Sequence, residues 1–212
     1  MGFANVTLRA LTTLILASAG ASTAGAAPPR SLDIHCRAEW GAGKPTKAYV
    51  RHTIERITVH HSGRALTNNK TFLRRLRSAQ RFHQTGKRRW ADIAYHYLID
   101  LQGKVYEGRP SWARGDTATR YDTTGHLLIC VVGNYDKQRP KARQIDALTK
   151  LLAWAAERHG VSAKRIAGHR EVARTSCPGK HLQRLLSTTL RSRITSLRRR
   201  GVSARRVCKT AR

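Results

Sequence analysis

Ten histidines and four cysteines in a chain of 212 residues are enough donors for a metal centre. Four places stand out: the pair His60-His61, then His96, His126, and His169 with Cys177 in Gly168-His169-Arg170-Glu171-Val172-Ala173-Arg174-Thr175-Ser176-Cys177-Pro178-Gly179. The spacing of eight between His169 and Cys177 is not that of two ligands on one helix, so it needs a loop that folds back, and Pro178-Gly179 would end that loop sharply. Imidazole and thiolate together favour zinc among the common metals. Three protein ligands would leave a fourth tetrahedral position open to water, which is a catalytic coordination number.

Alternating strand and helix periods must position these groups. Ile57 and Val59 mark one face of a short strand that ends at His60-His61. Neighbours on a strand point to opposite faces, so at most one of the pair can face a metal. Tyr95, Tyr97 and Ile99 are expected on one face of a second strand, which Gly103 turns into a hairpin, 95 to 100 with 104 to 107. Residues 126 to 132 are apolar enough for a central strand covered on both sides. Phe72, Leu76, Ala79 and His83 recur at helical spacing. So do Ile145, Leu148, Leu152 and Ala155, and Leu182, Leu186, Ile194 and Leu197. The expected fold is α/β, a single domain with a central mixed β-sheet flanked by helices.

Residues 1 to 26 differ from the rest. Arg9 precedes the apolar run Leu11, Leu14, Ile15, Leu16, and small residues end in Ala24-Gly25-Ala26. That order reads as a signal peptide, so the protein is expected to be exported, to a periplasm or outside the cell. An extended segment, 27 to 34, would lead into the domain, 35 to 190, and a basic helix end and tail would fill 191 to 212. Cys130, inside an apolar run, reads as a small buried hydrophobe, while Cys36 and Cys208 flank the domain and suggest a bridge between its ends. No apolar stretch reaches the ~18 to 20 residues of a membrane-spanning helix.

Five ordered segments carry a resemblance: Arg37-Ala38-Glu39-Trp40-Gly41-Ala42, Ile57-Thr58-Val59-His60-His61-Ser62, Trp90-Ala91-Asp92-Ile93-Ala94-Tyr95-His96-Tyr97, Gly103-Lys104-Val105-Tyr106-Glu107-Gly108-Arg109, and Gly168-His169 through Cys177-Pro178-Gly179. Together they resemble the zinc-dependent N-acetylmuramoyl-L-alanine amidases, the group that includes phage T7 lysozyme and the peptidoglycan recognition proteins. The resemblance implies His60, His169 and Cys177 as zinc ligands and Tyr95 as the active-site tyrosine. Thr175 stands where the phage enzyme has Lys and catalytic recognition proteins often have Thr. The implied reaction is hydrolysis of the amide between N-acetylmuramic acid and L-alanine of the peptidoglycan stem peptide. A recognition module that binds peptidoglycan without cleaving it is the alternative, and Cys177 argues against it.

Two departures from the family pattern bear on substrate fit. Gly115-Asp116-Thr117-Ala118 lacks the His found there in many relatives, and Thr123-Thr124-Gly125-His126 replaces their usual approach to the central strand. Trp112, His126 and Asn134 are the candidate substrate contacts. Trp40, Trp90 and Trp154 are expected as core anchors, and His83 and His159 as helix residues. Glu171 is the carboxylate nearest the metal loop, and a salt bridge with one of many arginines accounts for it as well as a role as general base does.

The chain carries 41 Lys and Arg against 12 Asp and Glu, a net charge of +29. After Glu171 there is no acidic residue, while residues 172 to 212 hold twelve Lys and Arg. In an exported, monomeric protein that basicity is expected to meet anionic envelope polymers in place of nucleic acid. A cationic polyanion-binding protein is the remaining reading.

Overall fold

The computed structural model describes residues 1–2 and 30–208, so the signal-peptide reading of residues 1 to 26 lies outside the described residues. Seven strands form one sheet: β1 Arg30–His35, β2 Arg56–His61, β3 Tyr97–Ile99, β4 Val105–Glu107, β5 His126–Val131, β6 Ile166–Gly168 and β7 Val202–Val207. Their order across the sheet is β6-β2-β5-β3-β4-β1-β7. Only β3 and β4 pair antiparallel, as the hairpin through Gly103 requires, and every other pairing is parallel. Gly103 has φ +80°, and a Cβ there would meet the backbone of Arg143. This is the mixed sheet expected from the alternating periods.

The alternation of each strand divides the interior into two layers. Ile57 and Val59 on β2, with Leu127, Ile129 and Val131 on β5, face α2, Ala142–Arg158, and join Ile145, Leu148, Leu152 and Ala155 in the larger core. That layer also receives Leu182 of α3, Lys180–Leu185, and Ile194 and Leu197 of α4, Arg191–Arg200. A π-helical turn, Leu186–Leu190, joins these two helices. It keeps Leu186 and Leu190 pointing inward although one residue is added to the period. Cys130 and Val132 of β5 face the other way, toward Trp40, Leu66 and the Phe72 and Leu76 face of α1, Phe72–Gln84. Truncating any of these fully enclosed leucines to Ala would cost about 2–5 kcal/mol.

Three expectations need correction. Tyr95 does not share a face with Tyr97 and Ile99: it lies in the irregular segment before β3 and packs with Leu98 in the second layer. Residues 30 to 34 are no mere lead-in, and residues 202 to 207 are no tail. They pair as β1 and β7 in parallel register from Arg30↔Val202 to His35↔Val207, and Cys36 is bonded to Cys208 just beyond. The sheet therefore extends past both ends of the 35 to 190 domain. Arg205 against Asp33 and Arg206 against Glu107 neutralise two of the added cations.

The Cys36–Cys208 bridge closes a loop with a sequence separation of 172 residues. Replacing both cysteines by Ser is expected to lower unfolding stability by about 2–4 kcal/mol in urea titrations. An unchanged midpoint and slope would show that β1 and β7 hold without it.

Candidate metal centre and substrate cavity

The parallel strands β2 and β6 end side by side. Their register runs Ile57↔Ile166, Thr58↔Ala167, Val59↔Gly168, so the next residue on each is His60 beside His169. The two rings lie 4.3 Å apart between centroids. Alternation along β2 sends Ile57 and Val59 toward α2 and therefore Thr58 and His60 to the opposite face. His61 turns away from His60, and its Nδ1 accepts a hydrogen bond from the Tyr135 backbone N–H at 3.2 Å.

Cys177 returns to this pair at the end of the loop after β6. Its Sγ accepts the His61 N–H at 3.3 Å and lies 3.7 Å from His60 Nδ1. Gly179, two residues on, has φ +88°, and a Cβ there would run into the Tyr135 backbone, so the loop closes only with glycine at this position. Glu171 stabilises the same loop: it accepts the Gly168 N–H at 2.8 Å and a Gln183 N–H at 2.7 Å and pairs with Arg191 at 3.3 Å. Its carboxylate is committed to these contacts, which favours the salt-bridge reading over that of a general base.

His60, His169 and Cys177 form a group that could hold a metal ion, with one donor atom from each within 4.8 Å of the others, and all three residues are buried. His60 Nε2 and His169 Nδ1 have no hydrogen-bond partner among the described residues. Burial, reinforced at His60 by His169, lowers the imidazole pKa well below its usual value at His60, and burial lowers it to about 4 at His169. Burial also pushes the Cys177 thiol up to about 12. Two neutral imidazoles and a thiolate that only a cation would make affordable are the donor set of a zinc site. The 3.7 Å between Sγ and Nδ1 suits it too, since tetrahedral zinc separates a nitrogen and a sulfur ligand by about 3.6 Å.

The group lies at the floor of a cavity of about 650 Å³. Tyr95 and Thr175 line it beside the three donors. The Tyr95 ring is 5.4 Å from that of His60, and burial, with the thiols of Cys130 and Cys177 nearby, raises its phenol pKa well above 10. Thr175 Oγ1 accepts the Cys177 N–H at 3.2 Å, so it braces the metal loop as well as facing the cavity.

The three expected substrate contacts do not line this cavity. Trp112 packs edge-on to Tyr49 and under Arg51, at 5.5 and 4.7 Å. His126 is buried, with Nδ1 2.7 Å from Thr58 Oγ1. Asn134 closes its own turn, donating to the Gly63 carbonyl at 2.8 Å and accepting the Asp136 N–H. Trp90, expected as a core anchor, instead lines the cavity, with the Arg88 guanidinium 4.8 Å from its ring. His83 lines it as well. The loop that lacks the family His supplies Asp116, Thr117 and Thr119 to the wall. Thr119, which the sequence pattern did not mark, lies 2.7 Å from His169 Nε2 although 50 residues separate them.

Residues 50–180 match the N-acetylmuramoyl-L-alanine amidase family model. Peptidoglycan-recognition protein SD of Drosophila simulans is 37% identical over 154 residues, covering 71% of this chain and 82% of the relative. The crystal structure of the Drosophila SD protein aligns with a TM-score of 0.68 at 33% identity, over 74% of this chain and 94% of that one. The N-acetylmuramoyl-L-alanine amidase of Mus musculus is 32% identical over 164 residues, 73% of this chain but 30% of the mouse protein. A human recognition protein solved in complex with glycosamyl muramyl pentapeptide aligns with a TM-score of 0.65 at 26% identity, over 74% and 95% of the two chains.

Histidines around the site also set its pH response. His96 Nε2 donates to the Ala113 carbonyl and Nδ1 accepts the Leu128 N–H, so the ring is held neutral, and burial lowers its pKa to about 3. Burial takes His83 and His126 to about 4. In the unfolded chain these rings gain protons near pH 6.5, so the unfolded state binds more protons below that pH. Stability of the metal-free chain is therefore expected to be full above pH ~6.5 and to fall as pH drops toward ~4. Urea midpoints at pH 7.5 and 5 check this, and a higher midpoint at pH 5 would contradict it.

Proposed function

Since the chain belongs to the N-acetylmuramoyl-L-alanine amidase family, we propose that it is an exported zinc hydrolase that cleaves the amide joining N-acetylmuramic acid to the L-alanine of peptidoglycan stem peptides. The observation that carries this reading is the buried His60, His169 and Cys177 group at the floor of a cavity large enough for a muramyl peptide. Zinc bound there would polarise the amide carbonyl as a Lewis acid and activate water for attack.

The residues of the chain define the rest of the chemistry. His60 and His169 stay neutral through burial and so offer lone pairs at neutral pH. Tyr95, whose phenol keeps its proton, donates a hydrogen bond to the carbonyl oxygen as negative charge develops on it. Thr175 holds the Cys177 backbone and offers its hydroxyl to the same oxygen from the other side. Phe72, Leu76, Ala79, Leu98 and Val132 line the wall with apolar surface and limit the water around the reacting amide.

Charge suits the cavity to an anionic peptide. Arg64, Arg75 and Arg88 line it, and its one carboxylate, Asp116, is paired with Arg109 at 2.7 Å. The exposed side of α3 and α4 adds Arg184, Arg193 and Arg199, for which the described residues supply no acidic partner. These helices pack on the α2 layer, on the sheet face opposite α1. Anionic envelope polymers can therefore hold the protein to the wall while its cavity stays open.

Incubation of the purified protein with peptidoglycan sacculi tests the reading. The expected products are free stem peptides beginning with L-Ala, lost on chelation and with Cys177→Ser, and formed roughly 10²- to 10³-fold more slowly by Tyr95→Phe. Retention on sacculi should weaken as salt is raised. Sacculi that are bound and left uncut by the zinc-supplemented protein would favour the recognition reading suggested by the relatives named for recognition.

A further inference from the structure

The two imidazoles of the metal group are not held alike. His60 Nε2 has no hydrogen-bond partner, whereas His169 Nε2 lies 2.7 Å from Thr119 Oγ1. Thr119 is itself tied to Thr117: its backbone N–H donates to Thr117 Oγ1 at 3.2 Å, and the two hydroxyl oxygens are 2.8 Å apart. Only one orientation of this chain satisfies its buried ring. If His169 Nε2–H donates to Thr119 and the Thr119 hydroxyl donates to Thr117, the ring proton and the Thr119 proton both have acceptors and Nδ1 is left as a bare lone pair. In the reverse orientation Thr119 donates to Nε2 and the proton moves to Nδ1. That nitrogen is buried and, among the described residues, has no partner to accept from it.

We propose that Thr119 is the positioning residue of the metal centre: its hydroxyl holds His169 as the Nε2–H tautomer and presents Nδ1 as a lone pair to His60 and Cys177. This rests on the zinc reading above for its consequence, though the tautomer itself does not require a metal. The Tyr121 ring lies 5.2 Å from that of His169, and its hydroxyl has no hydrogen-bond partner among the described residues, so Thr119 is the group that holds Nε2. The loop that departs from the family pattern at Thr117 thus serves the metal group through its second threonine.

Two variants separate hydrogen bonding from packing. Thr119→Val keeps the shape and removes the hydroxyl, and Thr119→Ser keeps the hydroxyl. In 15N NMR spectra of the metal-free protein at pH 8, His169 is expected as a single Nε2–H tautomer in the parent and in Thr119→Ser, and as a mixture in Thr119→Val. Zinc affinity, read by chelator competition, should fall roughly 10- to 100-fold in Thr119→Val and stay close to the parent in Thr119→Ser. An unchanged tautomer or an unchanged zinc affinity in Thr119→Val would overturn the proposal. A parent chain that shows the tautomer and takes up no zinc would instead overturn the metal reading and leave the positioning role supported.

Discussion

The parallel register of β2 and β6 is the constraint on which the rest of the structure depends. Because Val59 pairs with Gly168, the next residues, His60 and His169, emerge together at the same end of the sheet. There the β2–β6 pairing ends, while His60 stays in register with Cys130 of β5, and both side chains are enclosed by the domain. Three buried donors with few protein partners would be a net cost to folding on their own. A cation bound between them would offset that cost. The same desolvation that keeps the imidazoles neutral makes the thiolate costly without a cation beside it, so the three donors together could hold a metal ion.

Each outer layer supports that arrangement differently. The α2 layer supplies the apolar mass that fixes β2 and β5, while α1, packed on β5 through Phe72 and Leu76, and the loop after β4 line the cavity. Gln144 links the two functions: its Nε2 donates to the Val132 carbonyl at the end of β5, and its Oε1 accepts the Lys141 N–H at the start of α2. At the far edge, β1 and β7 are joined by register, the Arg205–Asp33 ion pair and a disulfide, and Arg206 ties β7 to Glu107 of β4. Among the described residues, basic side chains line the cavity at Arg64, Arg75 and Arg88 and the opposite helices at Arg184, Arg193 and Arg199.

Much of this was legible in the sequence because it rests on local periodicity. The two faces of β2 followed from Ile57 and Val59 alone, and the doubly covered β5 from its unbroken apolar run. The trio His60, His169 and Cys177 came from ordered motifs in place of spacing, since no local rule brings residue 177 back to residue 60. What escaped depends on long-range packing. β7 is six residues with two arginines, and it reads as a tail until its partner β1 is known. Trp90 lines the cavity and Trp112 stays outside it, still exposed, because a side chain's surroundings are set by what stands opposite it: Arg88 and the open cavity for one, Tyr49 and Arg51 for the other. Thr119 had no signal at all, being one of several threonines in a polar loop.

The most direct test of a zinc centre built from these residues is X-ray absorption at the zinc edge on the purified protein. The expected spectrum has one sulfur at about 2.3 Å and nitrogen or oxygen neighbours at about 2.0–2.1 Å, with the sulfur absent in Cys177→Ser. A parent protein that carries no zinc, or zinc with light-atom neighbours only, would contradict the assignment.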